Sequence, residues 1–171
     1  CGITLGLVCV YVLVLQTKFT VDTLTGVSNR IVALRYLESE LPYYRRHPNR
    51  SLHFLMMDMD HFKHINDEYG HLEGDAALVL LAGILKKVCA NYNGVLARYG
   101  GDEFAVILKG IRSVDAVRRK GAEICRCIRA VELPDYGPVT CSGGVVLCVE
   151  ADVPAGMLID RADQALYQAK S

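Results

Sequence analysis

The feature that most constrains the fold is a pair of glycines between two apolar runs. Gly100 and Gly101 follow the run at residues 95–97 and precede the run at residues 104–108. Two short apolar segments joined by so few residues predict two antiparallel strands and a tight turn, which is a β-hairpin. Glycine adopts positive φ angles easily and has no Cβ to block a ligand, so we expect the turn to use both properties.

Two acidic side chains lie at the end of this hairpin. Asp102 and Glu103 directly follow the glycines, and their charges repel each other wherever the surroundings exclude water. A bound cation would offset that repulsion, which makes the turn a candidate metal site. The turn by itself fits a surface loop with solvated carboxylates equally well.

A second acidic pair, Asp58 and Asp60, ends a mostly apolar segment. A buried strand that ends in carboxylates can hold a hard divalent cation, because the strand positions the ligands and the following loop is open to solvent. We therefore expect Asp58, Asp60, Asp102 and Glu103 to converge on one metal site. An Asp-x-Asp sequence after a strand is also common in turns and helix caps, so this pattern alone leaves the choice open.

The apolar periodicity predicts one α/β (α+β) domain over residues 19–171. The predicted helices cover residues 29–46, 72–90, 114–131 and 154–170, and the predicted strands outside the hairpin cover residues 52–57 and 139–149. Residues 61–75 are polar, so we expect an irregular loop with a helical turn. Gly143 and Gly144 predict a bulge or a close backbone approach. This order indicates a mixed central β-sheet flanked by helices, in a palm-like arrangement that brings the carboxylates together.

The first 18 residues form a separate apolar segment. Lys18 is the first charged residue, and nearly every side chain before it is apolar. We expect residues 1–18 to be the end of a transmembrane helix of a longer protein, with Lys18 on the cytoplasmic side. The alternative is an apolar helix or strand that packs on the domain or on a partner.

Composition disfavours several classes of protein. The 19 basic and 19 acidic residues balance to a formal net charge of zero, which argues against a nucleic-acid partner. The seven cysteines are scattered, so we expect reduced thiols of a cytosolic domain rather than a disulfide framework. His61, His64 and His71 lack a nearby cysteine or fourth ligand, which disfavours a zinc site.

Four motifs in order carry a resemblance to a known family. They are Asp22-Thr-Leu-Thr-Gly-Val-Ser-Asn-Arg30, Asp58-Met-Asp-His-Phe-Lys-His-Ile-Asn-Asp-Glu-Tyr-Gly-His71 with Gly74-Asp75, Arg98-Tyr-Gly-Gly-Asp-Glu-Phe104, and Ala162-Asp-Gln-Ala-Leu-Tyr-Gln-Ala-Lys170. The chain from Asp22 to Lys170 thereby resembles the GGDEF domain of diguanylate cyclases, which is named after the third motif. That family's fold resembles the palm of nucleotide polymerases and adenylyl cyclases.

The resemblance implies an enzyme that condenses two GTP molecules into cyclic di-GMP and releases two pyrophosphates. A homodimer would place the 3′-hydroxyl of each GTP at the α-phosphate of the other. Asp58, Glu103 and the Met59 carbonyl match the ligands of two Mg²⁺ or Mn²⁺ ions, which would stabilise the charge of the transferred phosphoryl group. Asp102 matches a position at the metals or one that helps to remove the hydroxyl proton.

The same resemblance implies which residues bind GTP. A carboxylate suits guanine because N1–H and N2–H₂ are donors that adenine does not offer. The matching positions are Asn66 and Asp75 for guanine, Lys63 and Lys170 for phosphate, and the backbone N–H groups near His61 and Phe62 for the triphosphate.

Two departures from the family pattern change these expectations. Many members carry an inhibitory Arg-x-x-Asp product site before the signature, and the matching positions here are Asn91 and Gly94. We therefore expect no product inhibition at that site. The family's last helix usually continues to a Gly-Arg pair, whereas this sequence ends at Ser171, so we expect a phosphate-contacting arginine to be missing and GTP binding to be weaker.

Several alternatives stay open at the level of sequence. Asp60 could orient the loop, and Arg98 could pair with a carboxylate. His71 could support the loop without contacting the nucleotide. Asp163 and Tyr167 could have packing roles. The alternative function is a non-catalytic receptor for GTP or a cyclic dinucleotide, and a third is a synthase of a mixed guanine–adenine product. The resemblance also implies an upstream sensor and a location at the cytoplasmic face of a bacterial inner membrane.

Overall fold

The computed structural model describes residues 20–111, 113–130, 132–133, 136–148 and 153–171. Residues 1–18, the predicted end of a transmembrane helix, lie outside these ranges. Within the ranges, no helix is both long enough and apolar enough to span a membrane. The transmembrane segment therefore stays a prediction.

The helices and strands follow the predicted order. They are β1 (Ser28–Asn29), α1 (Arg30–Arg46), β2 (Leu52–Met59), α2 (Phe62–Tyr69), α3 (His71–Ala90), β3 (Val95–Arg98), β4 (Glu103–Lys109), α4 (Val114–Arg129), β5 (Glu132–Leu133), β6 (Gly137–Pro138), β7 (Cys141–Leu147) and α5 (Ala155–Lys170). Each predicted helix and strand is present, because its apolar periodicity is long enough to specify it.

The central sheet is mixed, as predicted. Its strand order is β1-β3-β4-β2-β7, in which β1 runs parallel to β3 and the other neighbouring pairs are antiparallel. β5 and β6 form a separate two-stranded hairpin. Since β2 lies between two antiparallel neighbours, its C-terminal end meets the starts of both β4 and β7.

Alternate residues of β2 face two different cores. Leu55, Met57 and Met59 belong to the core that α3 and α4 cover, whereas Phe54 and Met56 belong to the core of α1 and α5. All five side chains are buried. Because helices cover both faces, β2 is apolar nearly throughout instead of alternating apolar and polar residues.

The irregular loop predicted for residues 61–75 is wrong, because most of this stretch is helical. α2 ends at Tyr69, Gly70 interrupts the helices with φ of +88°, and α3 begins at His71. Ile65 is the one side chain of α2 that is fully buried. So short a helix with so little buried surface carries too weak a periodic signal to be recognised from sequence.

The glycine pair of β7 marks a close backbone approach rather than a bulge. Gly143 and Gly144 keep regular ladder pairing with Met57 and Met56. A Cβ at Gly144 would lie 2.1 Å from the Ala162 carbonyl oxygen, which is backbone of α5. A Cβ at Gly143 would meet nothing closer than 3.5 Å. Helix α5 can therefore rest on β7 only because residue 144 has no side chain.

We expect Gly144→Ala to lower the free energy of unfolding by about 3 kcal/mol, because helix backbone cannot move aside cheaply. Gly143→Ala is the matched control and should change it by less than about 1 kcal/mol. Urea denaturation of both variants measures the difference. Equal stability of the two would contradict the close packing of α5 on β7.

His53 is a fully buried histidine in β2. Its exposed fraction is 0%, and among the described residues neither imidazole nitrogen has a hydrogen-bond partner. Burial lowers its pKa to about 4, because the imidazolium form loses its hydration there. His53 is therefore neutral in the folded protein at neutral pH.

This pKa predicts a pH-dependent stability. Between the ordinary histidine pKa of 6.5 and about 4, the unfolded chain binds a proton that the folded chain does not bind. The free energy of unfolding should therefore fall by roughly 2 to 3 kcal/mol as the pH is lowered through this range. Urea denaturation of His53→Leu should show a shallower pH dependence than that of the wild type, and an equal dependence would contradict the lowered pKa of His53.

Candidate active site

The two acidic segments meet at the end of β2. Asp58 lies directly opposite Glu103 of β4 on one side and opposite Ser142 of β7 on the other. Directly opposite side chains project from the same face of a sheet, with Cβ atoms about 5 Å apart. Asp58 continues the alternation of Phe54 and Met56, so this is the face that α1 and α5 cover. The register thus produces the convergence expected from sequence for this pair of carboxylates.

The glycine turn is present, but the expectation that its glycines have positive φ angles is wrong; their role in admitting a ligand stays a prediction. Neither Gly100 nor Gly101 has a positive φ angle. The N–H groups of Tyr99 and Gly100 both donate to the Glu103 carbonyl, at 2.8 and 3.3 Å. A Cβ at Gly100 would lie 2.6 Å from Oε2 of Glu103. The absence of a side chain at position 100 leaves room for the Glu103 carboxylate in its present position, and a larger residue there would displace it.

Arg98 holds the turn in place. Its Nη1 pairs with the Asp22 carboxylate at 3.2 Å, and its Nε and Nη2 donate to the Gly101 carbonyl at 3.0 and 2.7 Å. Asp22 also accepts from the N–H and hydroxyl of Thr25. The interpretation of Arg98 as the partner of a carboxylate is therefore confirmed, and the residue joins the first motif to the signature turn.

Lys170 supplies positive charge to Asp58. Its Nζ lies 2.5 Å from Oδ1 of Asp58, across 112 positions of sequence. Burial raises the pKa of Asp58, and the charges of Asp102 and Asp60 raise it further, whereas Lys170 lowers it. The end of α5 thus brings an ammonium group to a carboxylate that is costly to ionise.

Glu103 has a similar environment, to which an acid of α5 contributes. Burial raises the pKa of Glu103, and the charge of Asp163 is the next largest cause, ahead of Asp58 and Asp102. The packing role expected for Asp163 therefore does not describe it fully, because it is an exposed acid whose charge acts on Glu103. Its spacing of seven residues from Lys170 places both on one face of the helix, which is the signal that could have indicated it.

Asp60 and Asp102 lie at the same edge but have contacts of their own. Asp60 Oδ1 accepts from the Ser142 hydroxyl at 2.7 Å, and the Asp60 N–H donates to Thr140. The Asp102 carbonyl accepts from the Met59 N–H at 3.4 Å. Within the described ranges, no three His, Cys, Asp or Glu side chains are grouped so that they could hold a metal ion. A four-carboxylate metal site therefore stays a prediction.

The segment after Asp60 turns sharply into α2. His61 has φ of +58°, an uncommon conformation for a residue with a side chain, and it precedes Phe62 at the helix start. No side chain caps the first turn of α2. The first N–H groups of a helix have no partner inside it, so this turn presents donors beside the end of β2. Lys63 is exposed on the same turn.

Asn66 of α2 lies against Gly74 of α3. A Cβ at Gly74 would lie 2.1 Å from Oδ1 of Asn66 and 3.2 Å from the Phe62 ring, so the Asn66 amide lies directly on Gly74. Asp75 is the next residue in sequence and is exposed. The guanine-reading role of Asn66 and Asp75 stays a prediction.

Two other sequence features lie apart from this edge. His64 Nε2 lies 2.7 Å from Oε2 of Glu68, one helical turn further along α2. Asn91 and Gly94 lie at the opposite end of the sheet, where Asn91 lines a cavity of about 600 Å³. A Cβ at Gly94 would lie 2.7 Å from the Ile107 carbonyl oxygen, so an aspartate would require the backbone to move.

Comparison with known proteins identifies the family of this chain. Residues 19–171 match the family model described as "Diguanylate cyclase, GGDEF domain". The chain is 38% identical over 159 residues to the diguanylate cyclase DgcP of Pseudomonas aeruginosa, covering 91% of this chain and 23% of DgcP. It is 36% identical over 157 residues to the diguanylate cyclase VdcA of Vibrio cholerae, covering 88% of this chain and 44% of VdcA.

A solved structure shows the same architecture. The coiled coil and GGDEF domain of DgcB from Caulobacter crescentus, in complex with c-di-GMP, matches with a TM-score of 0.89 and 26% identity over 99% of this chain and 90% of that chain. The fold and the motifs together define a domain of the GGDEF type. The chain belongs to the GGDEF diguanylate cyclase family. It spans less than half the length of the two curated relatives named above.

Proposed function

We propose that this chain is a diguanylate cyclase that condenses two GTP molecules into cyclic di-GMP and releases two pyrophosphates. The observation that carries the proposal is Asp58 directly opposite Glu103, with the pKa of both carboxyls raised by burial and by neighbouring acids. Carboxylates in such a position favour a divalent cation, because it neutralises their mutual repulsion. Family membership supports the class of reaction.

Asp58, Glu103 and the Met59 carbonyl would hold two Mg²⁺ or Mn²⁺ ions. These oxygen donors suit hard cations, and Asp58 already has a cationic partner in Lys170. When bound, the ions stabilise negative charge on the transferred phosphoryl group and on the leaving pyrophosphate. If Asp58 binds a metal, the ammonium group of Lys170 becomes free to contact a phosphate of GTP.

The start of α2 would bind the triphosphate. The N–H groups around Phe62 have no side-chain cap, and the helix dipole favours an anion at this end. His61, with its positive φ, joins the segment after β2 to this helix start. Lys63 adds a flexible positive charge on the same turn.

Asn66 and Asp75 would read guanine. A carboxylate accepts from N1–H and N2–H₂, and the neighbouring amide can donate to or accept from the base edge. Adenine would leave the carboxylate without a partner, which disfavours a mixed guanine–adenine product.

Catalysis would require a homodimer, because one domain holds one GTP and the reaction joins two. Asp102 would act beside the metals or assist removal of the proton from the attacking 3′-hydroxyl. A sensor region outside this sequence would control how two domains meet. A membrane helix that ends near residue 18 would hold the domain at the cytoplasmic face of a bacterial inner membrane.

The direct test is product analysis with GTP and Mg²⁺ over a range of protein concentrations. We expect cyclic di-GMP, at a specific rate that rises with concentration as dimers form. Glu103→Gln should lower that rate by about 100-fold or more, because the transition state loses charge stabilisation. Glu123→Gln changes an acid of α4 away from the site and should keep the wild-type rate.

Three outcomes would contradict this assignment. Absence of product even when a fused coiled coil enforces dimerisation would favour the receptor alternative. A product that contains adenine, formed in a mixture of GTP and ATP, would indicate the mixed synthase. An unchanged rate in Glu103→Gln would exclude the proposed role of the signature carboxylate.

Gly74→Ala tests the guanine site without changing a polar side chain. The added methyl group would overlap the Asn66 amide, 2.1 Å from its Oδ1, and displace it. We expect GTP affinity, measured by calorimetry, to fall by about tenfold, which corresponds to one lost hydrogen bond. Gly83→Ala is the control on the same helix, since a Cβ there meets nothing within 4 Å. Equal GTP affinity of the two variants would contradict the placement of guanine at Asn66.

A further inference from the structure

Two cysteine sulfurs lie close together between α4 and β7. Sγ of Cys141 is 3.5 Å from Sγ of Cys125, in a hydrogen bond donated by Cys141. The Cys125 thiol is also 3.4 Å from the Cys141 carbonyl oxygen. Both cysteines are free thiols. They are 16 positions apart in sequence and lie on different elements, so their proximity is a product of the fold.

The two thiols differ in accessibility and acidity. Cys125 is partly exposed and lines a cavity of about 160 Å³ beside Met57, Gly121 and Gly143. The hydrogen bond from Cys141 lowers the pKa of Cys125, which favours its thiolate form. Cys141 is buried, and its contact with Cys125 together with burial raises its pKa. A partly exposed thiol beside a buried one, 3.5 Å away, is the arrangement of an attacking and a resolving cysteine.

We propose that Cys125 and Cys141 form an oxidisable dithiol, which a hydroperoxide converts reversibly into a disulfide between α4 and the first residue of β7.

The chemistry balances with hydrogen peroxide as the oxidant. The Cys125 thiolate attacks one peroxide oxygen, the O–O bond breaks, and the other oxygen leaves as hydroxide, which takes up a proton to become water. The resulting Cys125 sulfenic acid is attacked by the Cys141 sulfur. The S–S bond forms, the S–O bond breaks, and the departing hydroxide takes the Cys141 proton to give a second water. The two sulfurs together lose two electrons, which reduce the peroxide.

The geometry permits this step with small motions. A disulfide bond is about 2.05 Å long, so the sulfurs must approach by about 1.5 Å from their present 3.5 Å. Cys89 and Cys148 do not compete, because both are buried and burial raises the pKa of each to about 12. Cys127 is exposed on α4, two residues from Cys125 and therefore on a different side of the helix.

The dithiol lies next to the candidate active site. Cys141 is opposite Met59 in the β2–β7 ladder, and the following residue, Ser142, donates to Asp60. A disulfide would therefore tie α4 to the strand that borders the acidic edge. The oxidation does not depend on the cyclase reaction, so either proposal can fail without the other.

The test is oxidation of the reduced 171-residue chain with increasing hydrogen peroxide, followed by alkylation and peptide mapping by mass spectrometry. We expect a cross-linked Cys125–Cys141 peptide that dithiothreitol reverses, formed at least about tenfold faster than Cys127 is oxidised. Cys141→Ser should stop at a sulfenic acid on Cys125 that dimedone traps. Cys125→Ser should leave Cys141 reduced, and Cys127→Ser is the matched control that should cross-link as the wild type does.

Each other result overturns the proposal. Oxidation of Cys127 as fast as Cys125 would show that exposure alone decides reactivity. Oxidation of Cys125 to sulfinic acid in the wild type without a cross-link would show that Cys141 does not resolve it. A cross-link from Cys125 to a different cysteine would assign the partner elsewhere.

Discussion

Asp58 and Glu103 impose the main electrostatic demand on this structure, because the register of β2 and β4 places two carboxylates side by side at the end of a buried sheet. Burial raises the pKa of both, and Asp102 adds further negative charge. The Lys170 ammonium lowers both pKa values by bringing positive charge to the pair. Acidic side chains grouped in this way favour the binding of divalent cations. Such cations would take part in the proposed phosphoryl transfer.

Contacts around this pair of carboxylates position the side chains of the site. Gly100 leaves the space that the Glu103 carboxylate fills, and Arg98 ties the turn to Asp22. Gly144 allows the backbone of α5 to rest on β7. That contact brings Lys170 to Asp58 and Asp163 toward Glu103. Gly100 and Gly144 therefore both shape this site. Gly100 leaves space for the Glu103 side chain, and Gly144 leaves space for the backbone of α5.

Strand β7 connects this edge to the opposite face of the sheet. Ser142 points its hydroxyl toward Asp60, whereas its neighbour Cys141 contacts Cys125 of α4. Successive residues of a strand project to opposite faces, so one strand can border a polar site and carry a thiol in a core. Oxidation at the thiol pair would act on the strand that positions Asp60.

The sequence by itself determined the order and limits of the main helices and strands, the mixed sheet and the place of the glycine turn, because apolar periodicity is local information. It did not show α2, whose one fully buried side chain is Ile65, and it wrongly predicted a positive φ at Gly100. Only the tertiary structure decided the register of Asp58 against Glu103, the contact of Lys170 with Asp58 and the Cys125–Cys141 pair. Those contacts arise when distant segments pack, and no local pattern specifies that packing.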